Sequence, residues 1–133
     1  MPIQVEGLVS HIAVFDMPTA VAFYRDVLGF TVVNQSEPGD DFDWGFLRLG
    51  GAELMLNTQY DRAKRPSAPD AARIKAHEDT TLYFASRDVD EAYAHVRAKG
   101  IDAKPPKVSW YGMKQIYVKD PDGYVICFQS KEP

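Results

Sequence analysis

The stretch His11 to Phe30, HIAVFDMPTAVAFYRDVLGF, decides the fold. It opens inside a β-branched and aromatic run, Leu8 to Phe15, that suits a strand. Asp16 followed by Pro18 reads as a helix start, an acidic N-cap with proline in the first turn. Ala20, Phe23, Tyr24, Val27 and Leu28 recur at helical spacing and make one apolar face. Gly29 supplies the residue that can turn left-handed at the helix end, and Phe30 to Val33 begins a second strand. Glu37 to Asp43 is acidic and turn-rich. Trp44 to Leu49 and Ala52 to Asn57 read as two further strands around the tight turn Gly50-Gly51.

The same order recurs downstream. Thr80 to Ser86 is strand-like, and Asp88 with Glu91 three residues on has the form of a capping box. Val89, Ala92, Tyr93 and Val96 give the apolar helical face, closed by Gly100. Ile101 to Val108 is strand-like but interrupted by Pro105-Pro106, which assigns it to an edge or bulge. Met113 to Lys119 and Tyr124 to Gln129 flank the turn Asp120-Pro121-Asp122-Gly123. Gly29 corresponds to Gly100, Phe30 to Ile101 and Gly51 to Gly123, a shift of about seventy residues. The expected fold is α+β: two tandem βαβββ modules forming a curved mixed sheet with helices on the convex side. One domain, 1–133, is expected to hold module one at about 5–58, a polar connector at 59–79 with a short helix around Ala71 to Ala76, and module two at about 80–131.

Composition narrows the function. With 45% hydrophobic and 26% charged residues the chain can build a core without cross-links. Its single cysteine, Cys127, has no internal disulfide partner, so a reducing compartment is expected. The start MPIQVEGLVSHIAVF lacks a basic segment followed by an apolar one, and no apolar run approaches the roughly 20 residues that span a bilayer. A cytoplasmic protein without a membrane partner is expected. The formal charge is −4, and no Lys/Arg stripe stands out, which argues against nucleic acid. Arg62, Lys64 and Arg65 lie among prolines and read as a solvated loop.

The string HIAVFDMPTAVAFYRDVLGF resembles the first strand and helix of the glyoxalase/bleomycin-resistance/extradiol dioxygenase group, the vicinal oxygen chelate superfamily. YVKDPDGYVICFQ (117–129) is similar to its closing hairpin, and HEDTTLYFASRDVDEAYAHVRAKG (77–100) extends the likeness over almost everything but the connector. Trp110-Tyr111-Gly112 is similar to an aromatic-glycine element of the bleomycin-binding proteins. The resemblance implies that each module curls its sheet into a half-open cup. Strand alternation then assigns Ile12 and Val14 to the helix-covered face and His11, Ala13 and Phe15 to the cavity. The same parity gives the cavity Trp44, Phe46, Arg48, Met55 and Asn57 from the first half, and Thr81, Tyr83, Gln115, Tyr117, Cys127 and Gln129 from the second.

Metal-dependent relatives carry one ligand on the first and last strand of each module. Carried onto this chain, those positions fall at His11, Met55, Thr81 and Cys127. Only His11 is a good ligand for a divalent metal, so no metal and no other cofactor are expected. A strand shift of two residues would instead bring in Glu53. His77 falls outside the strand, and His95 on the solvent side of its helix. His11 also reads as a hydrogen-bonded wall residue, and Cys127 as a small buried hydrophobe with no base beside it. Aromatic side chains on a concave face suit planar ligands.

The leading expectation is therefore a metal-independent binding protein that sequesters a planar or aromatic compound such as an antibiotic. Its ligand contacts would be His11, Trp44, Phe46, Arg48, Met55, Asn57, Tyr83, Trp110, Gln115, Tyr117, Cys127 and Gln129. The acids Glu37, Asp40, Asp41 and Asp43 would be either a lure for a cationic ligand or a solvated turn. The alternative is a lyase, isomerase or dioxygenase-like enzyme of the same fold, with His11 as base and, in the shifted register, Glu53 at a metal. A third reading, a partner or sensor whose pocket is filled in, requires a core without a cavity. The resemblance also implies a homodimer.

Overall fold

The computed structural model of the chain describes residues 2–132. It divides into two compact units, one ending at Ser67 and one beginning at Ala68. Each unit has a four-stranded mixed sheet of its own, in place of the one curved sheet expected.

The first unit contains β1 (Ser10–Val14), α1 (Met17–Val21), β2 (Thr31–Gln35), β3 (Trp44–Leu49) and β4 (Ala52–Thr58). Asp16 sits in extended backbone and its carboxylate accepts from the Thr19 amide at 3.2 Å, so the helix begins where the sequence marks it. From Ala22 to Val27 the helix widens into a π-helix, with the Leu28 amide donating to the Phe23 carbonyl five residues back. Phe23, Tyr24 and Leu28 are all buried in this wider turn. Gly29, at a φ of 97°, ends it, and the Phe30 amide closes on the Tyr24 carbonyl at 2.9 Å. The strands run in the order β1-β4-β3-β2, with β1 parallel to β4 and the other pairs antiparallel. Helix α1 packs on β4. Ile12, Val14, Leu47, Leu54 and Leu56 are buried with Met17, Ala20, Val21 and Tyr24, which fixes the other sheet face as the open one.

The second unit repeats the plan: α2 (Ala71–His77), β5 (Thr81–Ala85), α3 (Val89–Ala98), β6 (Lys107–Val108), β7 (Met113–Lys119) and β8 (Val125–Lys131). The order is β5-β8-β7-β6, again with the first and last strands of the module parallel. Asp88 caps α3 by accepting from the Glu91 amide at 3.0 Å. Helix α3 packs on β7 and β8, and Val89, Val96, Ile116, Val118, Ile126 and Phe128 are buried. The Asp120 carboxylate holds the β7–β8 turn by accepting from the Asp122 and Tyr124 amides, each at 2.9 Å.

The connector is more ordered than a loop. Its first part makes a short 3-10 turn (Arg62–Lys64) and leads into Arg65. The Arg65 guanidinium donates to Asp16 at 2.9 Å and to Asp41 at 2.7 Å. Arg65 is therefore a part-buried clasp, unlike the solvated basic loop expected, because two carboxylates from separate elements converge on it. The second part is α2. His77 reaches the Asp122 carbonyl through Nδ1 at 2.7 Å and stacks on Tyr124 with ring centroids 4.2 Å apart. Gly123, at a φ of 90°, lies against the Ile74 carbonyl, and a side chain there would also meet Ile74 Cγ2 at 2.9 Å.

Candidate functional site

On the open face of the first sheet the strand register sets side chains in rows. His11 stands beside Met55, and Met55 beside Phe46. Ala13, Asn57 and Trp44 form the next row. Arg48 lies opposite Glu53, donates to it at 3.1 Å, and stands over the Phe46 ring at 5.6 Å. His11 is exposed, and among the described residues it has no hydrogen-bond partner. It is not the hydrogen-bonded wall histidine of the sequence reading, because its neighbour on the one strand that pairs with β1 is the thioether of Met55.

In the second sheet the matching row is Tyr83, Cys127 and Tyr117. Thr81 pairs with Val125, so the counterpart of His11 is Tyr83 and not Thr81. The family's ligand positions thus hold an imidazole, a thioether, a phenol and a thiol. The thiol is fully buried, and burial pushes its pKa up, against a smaller opposing effect of its hydrogen bond with Tyr117. A thioether and a phenol beside a single thiol and a single imidazole are not the His and carboxylate set that divalent nickel, manganese or iron takes. Glu53 is engaged by Arg48. Among the described residues no three His, Cys, Asp or Glu side chains come together as a metal-holding group. The residues present do not fit the metal.

What the second unit does hold is a groove of about 1420 Å³. Its walls are the segment from Gly100 to Pro105, the stretch from Lys107 to Trp110, and β7 from Gln115 to Lys119. The cause is in the sequence. In the first unit β2 pairs with β3 over most of its length, from Thr31 against Arg48 to Gln35 against Gly45. In the second, Pro105 and Pro106 stop the equivalent strand from zipping up, and only Lys107 and Val108 pair with β7. The rest of β7 is left with an open edge.

Gln115 is the polar centre of this groove. It is buried, and its amide nitrogen donates to the Tyr111 hydroxyl at 2.8 Å and to Gln129 Oε1 at 2.9 Å. Its oxygen accepts from the Tyr117 hydroxyl at 3.2 Å. The Tyr117 ring faces outward while its hydroxyl turns inward. Lost hydration there, and then the hydrogen bond with Tyr83, raise its pKa and keep it protonated. Trp110 is 95% exposed, set edge-on to Tyr111. At that exposure Trp110 is no core residue.

Two of the acids between Glu37 and Asp43 are paired with arginines. Asp40 receives Arg25 at 2.9 Å, and that hydrogen bond, the largest cause, holds its pKa below the usual carboxylate range. Asp41 is lowered in the same way by Arg65. The Glu37 carboxylate accepts from the Asp43 amide. Of the four acids, Asp40 and Asp41 are thus paired with arginines.

Of the expected contacts, Trp110, Gln115 and Tyr117 line the groove, Gln129 joins their network, and Tyr83 and Cys127 adjoin Tyr117. His11, Trp44, Phe46, Arg48, Met55 and Asn57 form a separate set on the open face of the first sheet. The sequence reading missed Tyr111, Val108 and the lysines 104, 107 and 119. The proline pair was the signal for them, since a strand that cannot pair leaves a gap beside its neighbour.

A family model described as Glyoxalase/Bleomycin resistance protein/Dioxygenase superfamily matches residues 7–128. The uncharacterized protein YaeR of Escherichia coli strain K12 is 31% identical over 120 residues, covering 86% of this chain and 89% of that one. Among solved structures, TioX from Micromonospora sp. ML1 superposes with a TM-score of 0.74 at 21% identity, over 96% of this chain and 99% of that one. A glyoxalase/bleomycin resistance protein from Streptomyces sp. CB03234 follows with a TM-score of 0.66 at 24% identity, over 92% and 97%. The two structures are similar in fold. Among the described residues no helix is long and apolar enough to cross a membrane.

Proposed function

The chain belongs to the glyoxalase/bleomycin resistance protein/dioxygenase superfamily, and from that premise we propose that it is a metal-independent binding protein that sequesters a planar, aromatic small molecule such as an antibiotic. The observation that carries this reading is the groove beside β7, with exposed Trp110 and Tyr117 at its wall and the Gln115 amide behind them. Flat aromatic faces displace water over a large area with few torsions to freeze, which favours stacking of a flat ligand. Gln115 is held rigid by its neighbours, so it can fix orientation without first being ordered. No bond need be made or broken, because binding alone withholds the compound from its target.

The donor chemistry at the family's ligand positions supports a metal-free mode. So does the setting of His11, which among the described residues has no hydrogen-bond partner to work with as a base. This reading takes the protein to act in the cytoplasm, where Cys127 stays a thiol, and as a homodimer whose exposed apolar side chains are covered by association. A thermal-shift series with divalent ions and with planar aromatic compounds, alongside elemental analysis of protein purified without added metal, is the test. Expected are no stoichiometric metal, no shift with ions, and a stabilisation by aromatic compounds that is lost in Trp110→Ala. One metal per chain, with a stabilisation that disappears in His11→Ala, would overturn the proposal in favour of a metal-dependent enzyme.

A further inference from the structure

Resting on that reading of the groove, we infer that its ligand is an anion, a planar ring system bearing a carboxylate, sulfonate or phosphate group. The lining carries three lysines, Lys104, Lys107 and Lys119, and a single acid, Asp102. Asp102 reaches Arg97 at 3.5 Å, and Lys119 is held by Glu78 at 3.0 Å. Lys104 and Lys107 have no ion-pair partner among the described residues. They flank the proline pair, one on either side, at the lip of the groove. This positive lip stands on a chain whose formal charge is −4, so it runs against the background charge of the molecule. Asp40 and Asp41 of the first unit, by contrast, are paired with Arg25, Arg62 and Arg65.

The open edge of β7 adds donors of its own. Backbone groups along a strand point alternately to its two sides. The Met113 carbonyl accepts from the Ser109 amide at 2.8 Å, and Gln115 pairs with Lys107, so odd-numbered residues of β7 face this side. The next two, Tyr117 and Lys119, direct their amides into the groove, where no backbone partner meets them among the described residues. An anionic oxygen lying there meets both backbone N–H donors and ammonium groups, while a ring attached to it reaches Trp110 and Tyr117. Such charge-assisted hydrogen bonds favour the anion over a neutral isostere. The carbonyls of Tyr117 and Lys119 share that edge, so it is the unpaired ammonium groups of Lys104 and Lys107 that turn the groove against a cationic ligand.

The test is calorimetric titration with three probes that share one ring and differ in charge: 2-naphthoate, 2-naphthalenemethanol and 2-naphthylmethylammonium. The naphthoate is expected to bind about tenfold tighter than the alcohol at low salt, with the ammonium weakest. That preference should shrink in high salt and in Lys104→Gln/Lys107→Gln, and persist in Lys99→Gln, which lies outside the groove. Equal binding of the three, or tightest binding of the ammonium, would overturn the anion assignment while leaving the groove a ligand site. Failure of all three to bind would overturn the binding reading itself, and the anion assignment with it.

Discussion

Cys127 and Tyr117 face each other across β7 and β8, and both hold their protons more tightly than usual. Burial is the main cause in each. A raised native pKa means the folded chain binds more protons than the unfolded one once the pH passes the unfolded value. Their contribution to stability is therefore complete below the unfolded values, about 8.5 for cysteine and about 10 for tyrosine, and is lost as the pH rises beyond them. Urea midpoints are expected to stay level from pH 7 to about 8 and then fall, more gently in Cys127→Ala. A level curve to pH 10.5 would refute this. Cys127 was legible in the sequence as an inert thiol, because nothing basic lay near it. The Tyr83 counterpart of His11 was not, because an apolar run does not fix its own register. The helix caps do: 16 − 11 and 88 − 83 are both 5, counted from Asp16 and Asp88.

Among the elements, both helices, both closing hairpins and the short α2 were legible, because caps, glycines and alternation mark them. The π-helix after α1 was not, since apolar residues at helical spacing suit either winding. β6 is the instructive case. Its prolines were legible as an interruption, yet the groove they open follows only once β2 is seen zipped along the matching edge in the first unit. Replacing Pro105 and Pro106 with valine and threonine is expected to let β6 extend along β7. Amide exchange at Tyr117 and Lys119 should slow at least tenfold, stability should rise by about 1 kcal/mol, and aromatic ligands should no longer bind. Unchanged exchange with retained binding would separate the groove from the prolines.

Over the whole molecule the duplication was the most legible feature, since it recurs as caps, glycines and apolar faces at one offset. The uneven use of its two copies was not. Sequence parity gave both open faces equal standing, whereas the groove belongs to the second unit alone. Large apolar side chains remain exposed in both units, among them Ile3, Val5 and Leu8 in the first and Tyr83, Tyr117 and Trp110 in the second. Surface of that kind favours self-association, so sedimentation at micromolar concentration is expected to return twice the chain mass. A monomer at every concentration would refute the dimer. The outer edges of the sheets carry a further consequence. A bare strand edge is a template on which other chains stack into fibrils. One sheet blunts its edge with an irregularity between Val32 and Asn34 in β2, the other with two prolines between lysines. The prolines that open the proposed ligand groove also keep the outer strand β6 short, and a substitution that lengthens β6 would give the sheet a longer unpaired outer edge.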